Sequence, residues 1–110
     1  MTLRQKQWKF VLMVSQLICW CAEHGYEVTF GEAYRDPEWA DILAGRGKGI
    51  KNSLHCSRLA IDLNLFKDGK YLSSTKDHEP LGLLWESIGG TWGGRFSDGN
   101  HYSLAHGGRK

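Results

Sequence analysis

The chain has 110 residues, 41% of them hydrophobic and 12% aromatic, so it can bury the core of one domain and is not disordered. Its net charge of +2 is mild and no basic run alternates with aromatic residues, so we expect no nucleic-acid partner. Three cysteines without a CxxC spacing exclude a disulfide framework, and we interpret Cys19, Cys21 and Cys56 as small buried apolar residues.

The N-terminal segment allows two interpretations. Basic residues precede the apolar stretch FVLMVSQLICWCA, as in a secretion signal, but Ser15 and Gln16 interrupt it and no small-residue cleavage site is clear. The stretch is also shorter than the ~20 apolar residues that span a bilayer, so we expect no stable membrane insertion. Apolar residues at steps of three to five favour a helix packed on a core from about Leu3 to His24. Its predicted core face consists of Leu3, Trp8, Val11, Val14, Leu17, Ile18 and Cys21.

The next segment combines a short strand with a short helix. Alternating β-branched and aromatic residues predict a strand at 26–30, and the turn after it contains Arg35. Pro37 begins a helix with the sequence PEWADILA, which Gly45 ends. The loop GRGKGIKN follows, and its glycines lack the phosphate-loop spacing, so a nucleotide site is not expected.

The second half of the chain contains the strongest strand pattern, at 59–66. Asp68-Gly69 predicts a hairpin turn that leads back through residues 70–72. Asp77 is expected to cap a third helix, whose apolar face consists of Leu81, Leu84, Trp85 and Ile88. A turn-rich segment then precedes a last strand at 101–104. Without a βαβ rhythm, these elements predict one small α+β domain over 1–110, with a central antiparallel sheet flanked by helices and no separate binding module.

Polar residues in and around the predicted strand at 59–66 suggest chemistry. Asp62 alternates with apolar neighbours and therefore lies on a polar face. His55 is seven residues earlier, an odd spacing, so it must reach that face from the turn before the strand. For this pair alone, a solvated histidine and aspartate would be the more common explanation. A catalytic zinc needs three protein ligands, and His101 in DGNHYS is a candidate third. Asp98, three residues before His101, could accept and return a proton beside such an ion.

Several other residues have both a functional and an ordinary interpretation. Arg35 has the guanidinium geometry that suits carbonyl and oxyanion groups, although a surface ion pair would also explain it. His24 at a helix end and His78 before the third helix are interpreted as structural. His106 lies in a glycine-rich tail that could reach the site, and Trp92 could line a cleft or belong to the core.

Three motifs in order, AYRDPE, SLHCSRLAIDLN and TWGGRFSDGNHYSL, resemble the zinc D-Ala-D-Ala metallopeptidase and L-alanyl-D-glutamate peptidase family. This family shares its fold with hedgehog signalling domains and includes phage endolysins. The resemblance extends over about residues 26 to 104. Many members have a glycine between the histidine and the aspartate of the second motif, where this chain has Arg58-Leu59. That departure concerns the local turn.

The resemblance assigns a role to each residue of the site. It implies that His55, Asp62 and His101 bind Zn²⁺ and that Asp98 is the general base.

Arg35 would polarise the scissile carbonyl and stabilise the oxyanion, and Ser53 would assist substrate binding or ligand orientation. The implied substrate is the stem peptide of peptidoglycan.

The aspartate base is more similar to phage L-alanyl-D-glutamate endopeptidases than to the dipeptidases, which tend to use glutamate. We therefore expect a monomeric endolysin that stays in the cytoplasm of an infected bacterium until the membrane is permeabilised. Two alternatives remain open: a D-Ala-D-Ala carboxypeptidase or dipeptidase of the same fold, and a non-catalytic wall-binding module.

Overall fold

The computed structural model describes residues 1–110 as an antiparallel sheet packed against helices. The helices are α1 (Leu3–Glu23), α2 (Pro37–Gly45) and α3 (Glu79–Ser87). The strands are β1 (Glu27–Phe30), β2 (Ala60–Lys67), β3 (Lys70–Leu72), β4 (Thr91–Trp92) and β5 (His101–Ser103). Two short 3₁₀ helices span Leu54–Ser57 and Gly93–Phe96. The predicted α+β domain with a central antiparallel sheet flanked by helices is confirmed.

Strand β2 lies at the centre of the sheet, whose order is β1-β2-β5-β4, with β3 also paired to β2. Strand β1 pairs with the second half of β2, so that Phe30 lies opposite Leu63. Strand β5 pairs with its first half, and Asp62 is the direct partner of His101. Side chains alternate along β2, so Ile61, Leu63 and Leu65 lie in the core while Asp62 points to the other face.

The core joins the sheet to helices α1 and α3. Trp85 of α3 is fully buried, packs edge-to-face on Phe10 of α1 and donates a hydrogen bond of 2.9 Å to the carbonyl of Ser103. The Tyr102 hydroxyl lies 2.7 Å from Nδ1 of His78, and both side chains are buried. Burial raises the pKa of Tyr102 and lowers the pKa of His78, so this pair stays uncharged and connects β5 to the start of α3.

The predicted core face of α1 is only partly right. Its buried residues are Phe10, Met13, Val14, Leu17 and Cys21. Three residues that we expected in the core are exposed: Leu3, Trp8 and Val11. The buried residues follow steps of three and four from Phe10, so the core-facing stripe of the helix is narrower than predicted. None of the three helices combines the length and the apolar character that crossing a membrane requires.

Two further predictions were wrong. Cys21 is buried, and burial raises its pKa to about 11, but Cys19 is exposed and Cys56 is only half-buried. Asp77 does not cap α3. Its carboxylate instead accepts a hydrogen bond from the backbone N–H of Ser74, and the residue before the helix is His78, which makes no side-chain cap. The helix therefore starts one residue later than the sequence suggested, and no side chain caps it.

Replacing Gly82 with alanine tests the contact between α3 and β4. A Cβ atom at Gly82 would collide with the indole ring of Trp92, which is buried in the core. We expect Gly82→Ala to lower the free energy of unfolding by about 1–3 kcal/mol, as overpacking does. Urea unfolding followed by fluorescence measures this.

The matched control is Gly45→Ala in α2, where an added Cβ meets nothing within 4 Å. We expect a change of no more than about 1 kcal/mol there. Equal effects of the two substitutions would contradict the packing account.

Candidate metal centre

Three potential metal donors converge on one point beside the sheet. They are His55, Asp62 and His101, and one donor atom from each lies within 4.8 Å of the others. Nε2 of His55 and Nδ1 of His101 both lie 3.3 Å from Oδ1 of Asp62. The two imidazole rings meet edge-on, with centroids 5.1 Å apart. The structure therefore brings together the three residues that the sequence selected as ligands.

The pairing of β2 with β5 positions two of these donors. Because Asp62 and His101 are direct partners in antiparallel strands, their side chains project from the same face of the sheet. His101 is also fixed by its own backbone, whose N–H donates to the carbonyl of Asp98 at 3.1 Å. The pairing of the two strands, rather than the conformation of a loop, thus brings the carboxylate and the imidazole together.

His55 reaches the site from the first 3₁₀ helix, as the odd spacing predicted. Ser53 caps this helix, and its hydroxyl accepts a hydrogen bond of 3.2 Å from the N–H of His55. The chain then reverses at Arg58, which adopts a left-handed conformation with φ 55°. That conformation costs a non-glycine residue roughly 1–2 kcal/mol. The guanidinium of Arg58 lies 4.1 Å from the ring centroid of Tyr34, a cation–π contact that offsets part of this cost.

A segment that we call the crossing segment, residues 31–35, connects β1 to the site through its backbone. Glu32 accepts a hydrogen bond of 2.9 Å from the N–H of Asp62, and Arg35 donates one of 3.2 Å to the carbonyl of His55. The carbonyl of Ala33 lies 3.4 Å from Nδ1 of His55. A proton on Nδ1 shared with this carbonyl leaves the lone pair of Nε2 directed at the centre.

The Asp62 carboxylate is held in its charged form. Burial raises its pKa, but hydrogen bonds from His101 and His55, together with their charges, outweigh burial and lower the pKa to about 2. A carboxylate that is ionised at neutral pH and faces two imidazole nitrogens is a donor set suited to zinc. The residues present therefore fit the expected ion.

A cleft of about 300 Å³ opens over the three donors. Arg35, Lys48, Ser53, Phe96 and Asp98 also line it. Phe96 forms a wall beside His101, with ring centroids 6.0 Å apart. The cleft thus contains cationic, anionic and aromatic groups within reach of the donors.

Asp98 lies at the mouth of the cleft. Its side chain is 54% exposed, and Oδ2 is 3.9 Å from Nδ1 of His101. Two hydrogen bonds to backbone carbonyls hold its loop. The N–H of Asp98 donates to the carbonyl of Gly93, and the indole N–H of Trp92 donates to the carbonyl of Gly99. An added Cβ at Gly93 would collide with the carbonyl oxygen of Asp98, so only glycine permits this approach.

Other residues considered from the sequence lie away from the cleft. Trp92 is buried in the core, and His24 is exposed at the end of α1. His78 is buried against Tyr102. His106 lies 3.3 Å from Nζ of Lys6 and borders a separate cavity.

Sequence reasoning missed two neighbours of the donors. Glu32 contacts the Arg35 guanidinium, and its Oε1 is 3.9 Å from Nδ1 of His55. The available signal was its position three residues before Arg35. Phe96 had no signal, because an aromatic residue in a glycine-rich turn is equally typical of a core.

Comparisons with known proteins identify a matching family and a similar fold. A family model described as D-alanyl-D-alanine carboxypeptidase matches residues 46–104, more than half of the chain. The fold is similar to the crystal structure of the L-Ala D-Glu endopeptidase ChiX from Serratia marcescens, with a TM-score of 0.73 and 15% sequence identity over 88% of this chain and 78% of that one. This likeness shows the fold. Among curated proteins, no sequence matches.

The metal centre can be tested without any substrate. We expect the purified protein to bind about one zinc ion per chain. His55→Ala should lose this binding, since a metal held by three donors requires all of them. Bound zinc should also stabilise the fold by about 2.7 kcal/mol at a free concentration 100 times the Kd. Calorimetric titration of the metal-free protein measures the first effect, and thermal unfolding measures the second.

His24→Ala is the matched control, because His24 is exposed at the end of α1. It should retain full zinc binding. Zinc binding that survives in His55→Ala would place the ion elsewhere.

Proposed function

The chain belongs to the family described as D-alanyl-D-alanine carboxypeptidase, and within it we propose that the chain is a zinc-dependent L-alanyl-D-glutamate endopeptidase. The endopeptidase of similar fold and the aspartate at position 98 support this choice of bond. The substrate would be the stem peptide of peptidoglycan. The observation that supports this most is the convergence of His55, Asp62 and His101 at the floor of a cleft that Arg35 and Asp98 also line.

We assign His55, Asp62 and His101 to the zinc ion. Bound there, the ion would supply Lewis-acid activation of a water molecule and of the scissile carbonyl. Ser53 supports this arrangement by holding the backbone of His55, and it also borders the cleft, where its position suits a contact with substrate. The low pKa of Asp62 supports its role as a charged ligand, because at neutral pH protons do not compete with the metal for this carboxylate.

Asp98 and Arg35 would divide the remaining chemistry. As the attacking water adds to the carbonyl carbon, the Asp98 carboxylate takes its proton. Asp98 then gives this proton to the departing amine nitrogen as the C–N bond breaks, which leaves a carboxylate and an amine. Arg35 would donate hydrogen bonds to the carbonyl oxygen as negative charge develops on it. The exposed position of Asp98 suits this role, because proton exchange needs a group that can reach both water and substrate.

We propose that the enzyme acts as a phage endolysin in lysis of the host cell. The aspartate at position 98 supports this, because it resembles the base of phage endopeptidases. In this role a monomer would act as a single catalytic domain over 1–110, reaching the wall from the host cytoplasm after membrane permeabilisation.

A second candidate is a D-Ala-D-Ala carboxypeptidase. The description of the matching family model favours it, since the model spans the segment that contains all three donors. The same zinc, base and arginine would serve either reaction. The two candidates differ in the bond that the cleft accepts.

Digestion of purified muropeptides separates these candidates. Mass spectrometry of the products should show cleavage between L-Ala and D-Glu, with the terminal D-Ala retained. Release of D-Ala with an intact Ala–Glu bond would establish the carboxypeptidase instead. Lysis of permeabilised Gram-negative cells that chelation abolishes would support the endolysin role. Wall binding without any cleavage would leave only a wall-binding module.

Asp98→Asn tests the general base. The amide has nearly the same shape but cannot accept the proton, so we expect kcat to fall by roughly 10²–10⁴-fold. Zinc binding should be retained, because Asp98 is not one of the three converging donors. Muropeptide turnover and metal content measure the two effects.

Asp68→Asn in the β2–β3 hairpin is the control. Asp68 has φ 53°, a left-handed conformation that asparagine also adopts readily. Full activity is expected for this variant. A wild-type rate in Asp98→Asn would remove Asp98 from the mechanism.

A further inference from the structure

Glu32 holds the guanidinium of Arg35 at the edge of the cleft. Oε1 of Glu32 accepts a hydrogen bond of 2.6 Å from Nε of Arg35 and lies 2.5 Å from its Nη2. The Arg35 side chain is only 12% exposed, and that of Glu32 is 30% exposed. A charge-assisted pair with both donors on one side of the guanidinium fixes the plane of that group.

The carboxylate of Glu32 belongs to a residue that is itself anchored to the centre. The carbonyl of Glu32 accepts the 2.9 Å hydrogen bond from the N–H of Asp62. Three residues further along the crossing segment, the N–H of Arg35 donates to the carbonyl of His55. Glu32 therefore connects the position of Arg35 to the backbone of two donors. The residue that holds the guanidinium is thus itself held by the backbone of a donor.

The pair leaves part of Arg35 available to substrate. A guanidinium has five N–H donors, and Glu32 engages Nε and Nη2. Nη1 lies on the side of Gly49, where an added Cβ would be 3.3 Å from it, and both residues line the cleft. The Nη1 donors, which Glu32 does not engage, thus lie beside the loop that borders the cleft.

Glu32 acts on Arg35 more directly than on His55. Its Oε1 is 3.9 Å from Nδ1 of His55, beyond hydrogen-bond range, whereas the carbonyl of Ala33 is 3.4 Å from the same nitrogen. Loss of the Glu32 carboxylate would therefore leave the orientation of His55 largely intact. It would leave the Arg35 guanidinium without its side-chain partner.

We propose that Glu32 is a positioning residue that orients Arg35 for the scissile carbonyl. This rests on the proposed function, in which Arg35 binds the developing oxyanion. A displacement of about 1 Å in such a group can cost on the order of 10²-fold in rate. Because negative charge on the carbonyl oxygen develops only in the transition state, a misoriented Arg35 should lower kcat more than it weakens ground-state binding.

Steady-state kinetics on muropeptides test the role. We expect Glu32→Gln to lower kcat by about 10–100-fold, with KM changed less than about threefold and zinc affinity unchanged. Glu32→Asp keeps the charge and should recover part of kcat. The matched control is Glu86→Gln, because Glu86 forms a similar pair with Arg95, at 2.7 and 2.9 Å, on the exposed surface. This control should retain wild-type kinetics.

A double-mutant cycle and NMR separate positioning from a merely structural effect. In an Arg35→Ala background, Glu32→Gln should cost less than about threefold more, since the residue through which it acts is gone. In ¹⁵N-labelled protein without substrate, the Nε–H signal of Arg35 should be protected from exchange. It should lose this protection in Glu32→Gln.

The outcomes distinguish this inference from the function on which it rests. Unchanged kcat in Glu32→Gln, an equal loss in Glu86→Gln, or full additivity with Arg35→Ala would overturn the positioning role. A wild-type protein that cleaves no muropeptide would overturn the proposed function. In that case the Arg35 Nε–H signal alone decides whether Glu32 holds the guanidinium.

Discussion

The register between β2 and β5 determines whether the candidate site exists. Asp62 lies directly opposite His101, so both side chains emerge on one face and their donor atoms meet. A shift of one residue would move one of them to the opposite face of the sheet. The register is fixed from the core side, where Ile61 pairs with the buried Tyr102, whose hydroxyl contacts His78. Core packing on one face of β2 therefore maintains the chemistry on the other.

The crossing segment extends this control to the rest of the site. It binds the backbone of Asp62 and of His55, which come from different elements, and it also contains Arg35. The electrostatics follow from the same geometry, because two imidazoles at 3.3 Å keep a half-buried carboxylate ionised. Salt would screen a site that depended on long-range charge, whereas it screens half-buried contacts at this distance much less.

The sequence predicted the donors better than it predicted their surroundings. Strand alternation identified the exposed face of Asp62, and the odd spacing identified the entry of His55 from a turn, since both depend on local periodicity. The meeting of Asp62 with His101 depends on strand register, which no local pattern contains, and motif resemblance supplied it. Two features that depend on tertiary partners were missed. The left-handed conformation of Arg58 depends on its contact with Tyr34. The ion pair between Glu32 and Arg35 depends on the anchored crossing segment. The core face of α1 was misjudged for a related reason, since apolar residues occur on more than one side of that helix.

The constraints on the site residues differ in a way that matches the chemistry proposed for each. The three donors are buried or half-buried and are restrained by sheet pairing, a capped turn and the crossing segment. A metal requires this, because its affinity depends on donors that need not rearrange. Arg35 is restrained by one carboxylate and keeps other donors free, which suits a group that binds charge only as it develops. Asp98 is the most exposed, held by the backbone of its loop while its carboxylate remains in contact with water. A proton carrier must reach both the attacking water and the departing nitrogen, so this open position suits the role proposed for it.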